Sequence, residues 1–148
     1  MLIRRARPDE AGLLAELAVR SKAYWPYPPE FIARFAETLG LTPDVIATNE
    51  AWVAERGGAV LAFYLLVHRD ERTFLDDLWL EPAVIGQGIG RALFSHARER
   101  AAAAGARFLE WDAEPYAVGF YRRMGGRHIG FVDSPLGREL PTMRLALG

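Results

Sequence analysis

Residues 78–101 read LWLEPAVIGQGIGRALFSHARERA and pass from an apolar strand through a glycine-rich turn into a helix. Pro82 ends the strand, and Gly86, Gly88 and Gly90 stand between the two elements. Because glycine has no Cβ atom, successive backbone N–H groups can turn toward one point, where the helix N-terminus adds partial positive charge. The pattern therefore predicts a site for phosphate oxygens. The alternative is a tight strand-to-helix turn that binds no ligand.

Two well-known phosphate-binding motifs do not fit this turn. A P-loop needs Gly-Lys-Ser/Thr, whereas Arg91 and Ala92 follow the last glycine. The dinucleotide fingerprint G-x-G-x-x-G fails in both registers, because Arg91 or Leu93 stands at the third glycine. Glu110 lies where that fingerprint places its ribose-binding acid, but the strands before the turn form a hairpin rather than a βαβ unit. A nucleotide-binding oxidoreductase that uses NAD(P) is a further alternative.

Strand-like and helix-like segments surround the turn on both sides. Two strand-like runs separated by Gly57 and Gly58 predict an antiparallel hairpin. The predicted elements are strand 2–7, helices 8–20 and 29–39, strands 51–56, 59–68 and 73–82, helix 91–105, strand 107–112, helix 116–124, and strands 127–132 and 142–147. This order, β-α-α-β-β-β-α-β-α-β-β, predicts a single α/β (α+β) domain over residues 1–148. Its central sheet is mixed, mostly antiparallel and flanked by helices.

Composition excludes several classes of protein. The chain has 148 residues, 51% of them hydrophobic, no cysteine, and a net charge of -1. Without cysteine there is no disulfide framework, thiolate nucleophile or cysteine zinc site, and three scattered histidines predict no metal site. The charge predicts no nucleic-acid or anionic-membrane partner, and no apolar run approaches the ~20 residues of a membrane span. We expect a cytoplasmic protein. Lys22 is the only lysine and is expected to be solvated.

The turn and its flanks resemble motif A of the GNAT superfamily of acyl-CoA-dependent N-acetyltransferases. That motif has a strand, a short acidic-proline turn, (Gln/Arg)-x-x-Gly-x-(Gly/Ala) and a long helix. In this register the last two glycines are Gly88 and Gly90, and Ile85 departs from the pattern by standing at the Gln/Arg position. The order of the predicted elements agrees with the GNAT fold over essentially the whole chain. The resemblance implies acetyl-CoA as cosubstrate and no metal.

Residues 114–130, EPYAVGFYRRMGGRHIG, resemble motif B of the same family, an Asn-Pro-x-Ala-x-x-Phe-Tyr helix followed by Gly-Phe. Glu114 stands at the asparagine position and Gly126 at the aromatic position. The resemblance implies that Tyr121 is the general acid. A phenol with an ordinary pKa of about 10 stays protonated at neutral pH and can donate to a departing thiolate.

The resemblance also implies which residues contact coenzyme A. In the family, backbone amides of the motif A strand polarise the acetyl carbonyl, a role that needs no particular side chain. The expected coenzyme contacts are Leu78, Trp79, Leu80, Gly86, Gln87, Gly88, Ile89, Gly90, Arg91, Glu114, Ala117, Phe120 and Tyr121. Phe120 belongs either to the core or to a wall beside the pantetheine arm.

Candidate bases lie on the strand before the turn. A protonated amine cannot attack, so either a carboxylate removes its proton or the free amine is selected from solution. Asp76 and Asp77 are the candidates, and strand alternation predicts that they point to opposite faces. Glu110 and Asp112 share a face of the next strand and are held in reserve.

The acceptor is expected to meet residues 21–31, SKAYWPYPPEF, between the first two helices. In the GNAT fold this segment forms one wall of the acceptor pocket, and its rings offer cation–π surface. The alternative is that the rings pack as core over the sheet edge. The expected acceptor contacts are Ser21, Lys22, Tyr24, Trp25 and Tyr27.

These observations predict an N-acetyltransferase that moves an acetyl group from acetyl-CoA to a primary amine of a small-molecule or peptide acceptor. Without a cysteine to form an acyl-enzyme, direct transfer in a ternary complex is the expected mechanism. The alternative is a non-catalytic acyl-CoA-binding or regulatory module on the same fold, because Ile85, Glu114 and Gly126 depart from the motifs. A homodimer is an expectation at the level of the family.

Overall fold

The computed structural model describes all 148 residues as one seven-stranded sheet with five helices on its two faces. The strands are β1 (Leu2–Arg5), β2 (Glu50–Arg56), β3 (Ala59–Arg69), β4 (Arg72–Leu80), β5 (Phe108–Asp112), β6 (Arg127–Asp133) and β7 (Glu139–Ala146). The helices are α1 (Ala11–Ala23), α2 (Pro29–Thr38), α3 (Pro43–Thr48), α4 (Ile89–Ala103) and α5 (Val118–Arg123). Single 3-10 turns precede α1, α4 and α5.

The predicted mixed, mostly antiparallel sheet is confirmed. The strand order is β1-β2-β3-β4-β5-β7-β6, and only β4 and β5 run parallel. Helix α3 was not predicted, although its signal is present: the Thr42 hydroxyl caps the Val45 N–H at 3.2 Å, and Pro43 occupies the first turn. Only Ile46 of α3 is buried, so the helix has too few apolar positions to show a period.

Strand β7 begins three residues earlier than predicted because it tolerates Pro141. The Pro141 carbonyl faces the end of β5, where it accepts the Ala113 N–H at 2.8 Å. The pairing of β5 with β7 stops at Asp112 and Thr142, so the missing proline N–H removes no ladder bond on that side.

The parallel pair β4 and β5 opens the sheet. Residues 72–74 of β4 pair with residues 108–110 of β5, and beyond Phe74 the two strands separate. Strand β4 continues to Leu80 while remaining paired with β3 along its other edge. One edge of β4 therefore presents unpaired backbone to a gap inside the sheet.

A β-bulge at Asp76 changes which way the rest of β4 faces. Leu65 pairs with Asp77 and Leu66 pairs with Leu75, so Asp76 is the extra residue. A one-residue insertion reverses the alternation of side chains after it. Asp77 therefore lies on the face covered by α1 and α2, whereas regular alternation from Leu75 would have sent it toward α4.

Two apolar clusters hold the layers together. The larger lies between the sheet and α4 with α5, and it includes the fully buried Phe94 and Trp111. The smaller lies under α1 and α3 and includes Leu14 and Leu17. Burying such side chains contributes roughly 1.5–3 kcal/mol each. None of the helices combines the length and apolar character needed to cross a bilayer.

The departure at Gly126 has a packing reason. A Cβ atom at this position would lie 2.7 Å from Cζ2 of Trp111 and 3.0 Å from the Tyr121 carbonyl oxygen. The indole ring of Trp111 therefore takes space that any larger residue at Gly126 would need. Trp111 in turn packs on Tyr121, with ring centroids 5.0 Å apart.

Candidate active site

A cleft of about 850 Å³ occupies the gap between β4 and β5. This volume lies in the usual range for small-molecule sites. The walls come from α1, the following loop and α2 on one side, and from the segment before α5 and α5 itself on the other. The glycine turn (residues 85–90) closes one end, and the loop before β7 closes another.

The glycine turn offers a group of free backbone donors. The N–H groups of Gly86 and of residues 88–91 have no hydrogen-bond partner in the chain, and the first helical bond runs from Ala92 N–H to Gly88 O at 3.1 Å. Gly88 holds φ at +83°, a conformation that side-chain-bearing residues rarely adopt. The free donors and the N-terminus of α4 together give this end of the cleft the chemistry that suits an anion.

Two residues of this turn do not face the cleft as expected. The Gln87 side chain donates to the Ala83 carbonyl oxygen at 3.3 Å, and its own N–H is used by the Val84 carbonyl oxygen. The Ile89 side chain is buried in the larger apolar cluster, so only its N–H is available. Ile85 and Arg91 do line the cleft.

Asp77 is a buried carboxylate in the cleft wall, 6% exposed. Burial raises its pKa, the neighbouring charge of Asp76 adds to the rise, and the hydrogen bond from Trp79 Nε1 to Oδ1 (2.9 Å) opposes it; the pKa of Asp77 is about 8. Asp76 also lines the cleft, but it is exposed. Alternation predicted that the two side chains point to opposite faces, but both line the cleft, and Asp76 is the bulged residue.

Tyr121 lines the same cleft from α5. Its hydroxyl forms no hydrogen bond within the chain and is not sealed from the cleft. Burial raises the pKa of Tyr121 well above its ordinary value, and the negative charges of Glu114 and Asp77 add to the rise. The phenol therefore keeps its proton throughout the physiological range. Phe120 and Ala117, expected beside it, also line the cleft, and Phe120 approaches the glycine turn at Gly90.

The unpaired edge of β4 carries two outward N–H groups, of which one is occupied. The Leu80 N–H donates to Ser21 Oγ at 3.3 Å. Because Glu81 N–H bonds to β3, alternation turns the N–H groups of Leu78 and Leu80 away from β3 and toward the cleft. The Leu78 amide is therefore the donor left free, whereas Leu80 was also expected to be available.

The expectation that Lys22 is solvated is wrong. Lys22 is 6% exposed, and its ammonium donates to Glu114 Oε2. The Tyr27 hydroxyl donates to the other oxygen of Glu114, so Glu114 is committed to protein partners. Burial lowers the pKa of Lys22, Glu114 opposes this, and the charge of Arg138 lowers it further.

Aromatic rings surround the Lys22 ammonium. It lies 4.8 Å from the ring centroid of Tyr27 and 5.3 Å from that of Phe35. Trp25 stacks on Tyr116 across the cleft, with centroids 5.3 Å apart. Ser21, Lys22 and Trp25 line the cleft as expected. Neither Tyr24, which is exposed, nor Tyr27, which lies behind Lys22, is among the cleft-lining residues.

Among the cleft residues that sequence reasoning did not single out as contacts are Phe31, Phe35, Tyr116 and Arg138. The two phenylalanines look like ordinary core positions of α2, and no motif marks Arg138. Of the reserve carboxylates, Glu110 is held by Arg72 and Arg144 and lies outside the cleft. Asp112 lines the cleft and accepts a hydrogen bond from Thr142 Oγ1 at 2.8 Å.

Comparisons with known proteins identify the family. The model of the Acetyltransferase (GNAT) family matches residues 14–126. The chain is 30% identical over 146 residues to the peptidyl-lysine N-acetyltransferase YjaB of Salmonella typhimurium, covering 97% of this chain and 95% of that protein. A GCN5-related N-acetyltransferase from Rhodopseudomonas palustris has the same fold, with a TM-score of 0.83 at 21% identity over 99% of this chain and 95% of that one.

A further structure of the same fold was solved with a ligand. It is the PaiA N-acetyltransferase from Thermoplasma acidophilum in complex with coenzyme A, with a TM-score of 0.80 at 18% identity over 98% of each chain. The match of the family model, the full-length relative and the shared architecture agree with one another. This chain belongs to the GNAT family of acetyltransferases.

Proposed function

We propose that this chain transfers an acetyl group from acetyl-CoA directly to a primary amine of a small-molecule or peptide acceptor. One observation carries the proposal: Asp77 and Tyr121 reach the same cleft from different elements and hold their protons differently. Asp77 can lose its proton near neutral pH, whereas Tyr121 keeps its own. Such a pair suits a reaction that takes a proton from the attacking group and gives one to the leaving group.

The coenzyme end of the cleft fits this proposal. Bound acetyl-CoA supplies an acetyl group activated as a thioester, and the PaiA structure with coenzyme A supports this cosubstrate. The free N–H groups of Gly86 and of residues 88–91 hold the diphosphate, with the exposed Arg91 beside them. Gln87 contributes neither its side chain nor its amide, because both are already bonded.

Asp77 acts as the general base in this proposal. It takes the proton from the acceptor ammonium, directly or through a water molecule, so that the amine can attack the acetyl carbonyl carbon. Its pKa of about 8 lies closer to that of an ammonium than an ordinary carboxyl does. Asp76 contributes by raising that pKa, because its negative charge disfavours a second charge nearby.

Tyr121 and Leu78 stabilise the charges that appear as the thioester breaks. The free N–H of Leu78 donates to the acetyl oxygen as negative charge builds there. The Tyr121 hydroxyl gives its proton to the sulfur that leaves, so that a thiol departs in place of a thiolate, and the phenolate then takes the second proton that the nitrogen loses as the amide forms. Ser21 supports the strand edge by accepting the Leu80 N–H.

The test is thiol release from acetyl-CoA in the presence of a panel of amines. We expect Tyr121→Phe to lower kcat by about 100-fold or more, because the general acid is lost while the ring that packs on Trp111 remains. The Kd for coenzyme A, measured by calorimetry, should not change. Tyr24→Phe is the matched control, since it removes an exposed hydroxyl outside the cleft.

The other outcomes separate the alternatives. Coenzyme A binding without turnover of any amine would contradict catalysis and support the non-catalytic acyl-CoA-binding module. A Tyr121→Phe variant with full kcat would show that Tyr121 is not the general acid, and the proposed acetyl transfer would still stand. No binding at millimolar coenzyme A would exclude both functions.

A further inference from the structure

Arg138 is a cation beside residues 21–31, in the part of the cleft where the acceptor is expected (the acceptor half). It is carried by a loop that backbone hydrogen bonds hold in place. It precedes β7, lines the cleft and is half-buried. Ser134 N–H donates to the Arg138 carbonyl oxygen at 2.8 Å, and Gly137 N–H donates back to Ser134 O at 3.1 Å. These bonds fix the backbone from which the Arg138 side chain reaches over the rings of Tyr27 and Phe31, at 5.2 and 5.8 Å from their centroids.

This guanidinium has no anionic partner. None of the ion pairs of the structure includes Arg138. Glu114 is already bonded to Lys22 and Tyr27, although Lys22 and Arg138 contact the same tyrosine ring. Two cations and one carboxylate therefore lie together here; the carboxylate is paired with Lys22, and the charge of Arg138 is left without a partner.

Negative charge lies in the part of the cleft formed by β4, where the proposed base is. Asp76 and Asp77 line the cleft on β4, next to the place where an acceptor amine must meet its base. An acceptor that spans the two ends would present a cationic amine to these carboxylates and an anionic group to Arg138. A planar guanidinium is suited to bind a carboxylate with two parallel hydrogen bonds.

We propose that the acceptor is a primary amine that carries a carboxylate, and that Arg138 binds this carboxylate and selects for it. The inference rests on the proposed acetyl transfer and adds the chemical class of its acceptor. The carboxylate belongs either to a free amino acid or to an acidic residue near a lysine in a peptide, and the experiment separates these two sources.

The experiment measures thiol release with matched acceptors. One series pairs amino acids, including ω-amino acids of increasing length, with their carboxamides. A second series pairs lysine peptides that have a neighbouring glutamate with peptides that have glutamine. We expect kcat/KM of the wild type to favour the carboxylate member by about 10- to 100-fold in one series. The series that shows the preference identifies the source.

Arg138 is tested by Arg138→Ala and Arg138→Gln. Both should lower kcat/KM for carboxylate acceptors by about 10- to 100-fold, mainly through KM, and leave carboxamide acceptors within about threefold. Arg138→Lys should retain part of the preference, since it keeps the charge but not the planar fork. Arg34→Ala is the matched control, because Arg34 lies 5.9 Å from the same Phe31 ring but is exposed and outside the cleft.

The outcomes distinguish this inference from the function beneath it. Equal turnover of carboxylate and carboxamide acceptors, or an Arg138→Ala loss of equal size for both, would overturn the role of Arg138 and leave acetyl transfer standing. If none of the amines in either series supported thiol release, the proposed function and this inference would be overturned together. Thermal unfolding shows whether each variant is folded. If Arg138→Ala does not fold, the comparison is made with Arg138→Gln.

Discussion

Asp77 combines burial, a charged neighbour and a single hydrogen bond from the Trp79 indole. Its pKa of about 8 means that the carboxylate, the form that accepts a proton, becomes dominant only above this pH. We therefore expect kcat/KM to rise as pH increases from 6 to 9, with an enzyme midpoint near 8. The midpoint should be the same for two acceptors whose amines have different pKa values. Steady-state rates across this range measure it.

Variants at the two aspartates separate the proposed base, Asp77, from its neighbour Asp76. Asp77→Asn keeps an acceptor for the Trp79 N–H but cannot take a proton, so we expect a loss of about 100-fold and a profile that follows only the acceptor amine. Asp76→Asn removes a nearby negative charge and should move the enzyme midpoint to lower pH. An Asp77→Asn variant with the full rate and the wild-type profile would show that the free amine is selected from solution.

The segment after α1 and the segment before α5 are tied together through Glu114. Lys22 and Tyr27, on one side of the cleft, both donate to this carboxylate on the other. Breaking one member of a buried ion pair leaves the other charge uncompensated and typically costs about 3–5 kcal/mol. We expect Lys22→Met to lower the free energy of unfolding by about that amount, and Lys22→Met with Glu114→Gln to lower it less.

Urea unfolding of the wild type, both single variants and the double variant gives the coupling energy of this tie. The matched control is Glu71→Gln, which breaks an exposed ion pair with Arg107 at 3.5 Å and should change stability by less than about 1 kcal/mol. Additive effects of Lys22→Met and Glu114→Gln would contradict a direct interaction between the two side chains.

The candidate residues whose positions depend on local spacing could be predicted from the sequence to lie near one another. Gly88, Gly90 and Tyr121 lie in short motifs in which a strand, turn or helix determines where each residue faces, and all three line the cleft. The environment of Lys22 could not be predicted in this way. Its partner Glu114 lies 92 residues along the chain, so burial of the lysine depends on packing between two distant loops.

Irregularities in the sheet could also not be predicted from the sequence. A period of two predicted opposite faces for Asp76 and Asp77, but the pattern contains no signal for the extra residue that the β-bulge accommodates. Arg138 and Phe35 line a cleft that lies where the sheet opens between β4 and β5. Such positions follow from the curvature and pairing of the whole sheet, which no single segment encodes.

At the scale of the whole molecule, buried carboxylates give stability two opposite dependences on pH. Glu50 is buried at the start of β2; burial opposes ionisation, but hydrogen bonds from Arg100, Trp52 and His68 together lower its pKa from 4.5 to about 2. A carboxyl whose pKa is lowered by folding stabilises the protein above its unfolded pKa. This stability is lost as pH falls from about 4.5 to 2.

Asp77 has the opposite effect on how the stability of the fold depends on pH. Folding raises its pKa from 3.8 to about 8, so the unfolded chain loses this proton first and stability falls as pH rises between these values. We expect Asp77→Asn to be more stable than the wild type at pH 9, by about 1–3 kcal/mol, and indistinguishable from it near pH 3. Glu50→Gln should be less stable at pH 7 and approach the wild type near pH 2.

Urea unfolding at pH 2, 3, 5, 7 and 9 tests both signs in one series. If Asp77→Asn were less stable than the wild type at pH 9, the carboxylate would be stabilised by its surroundings, and its raised pKa could not support a role as base. If it is more stable, the protein keeps at Asp77 a charge that weakens the fold. If that more stable variant also lost activity, the destabilising charge at Asp77 would be needed for the reaction. This is the expected result where function and stability compete at one residue.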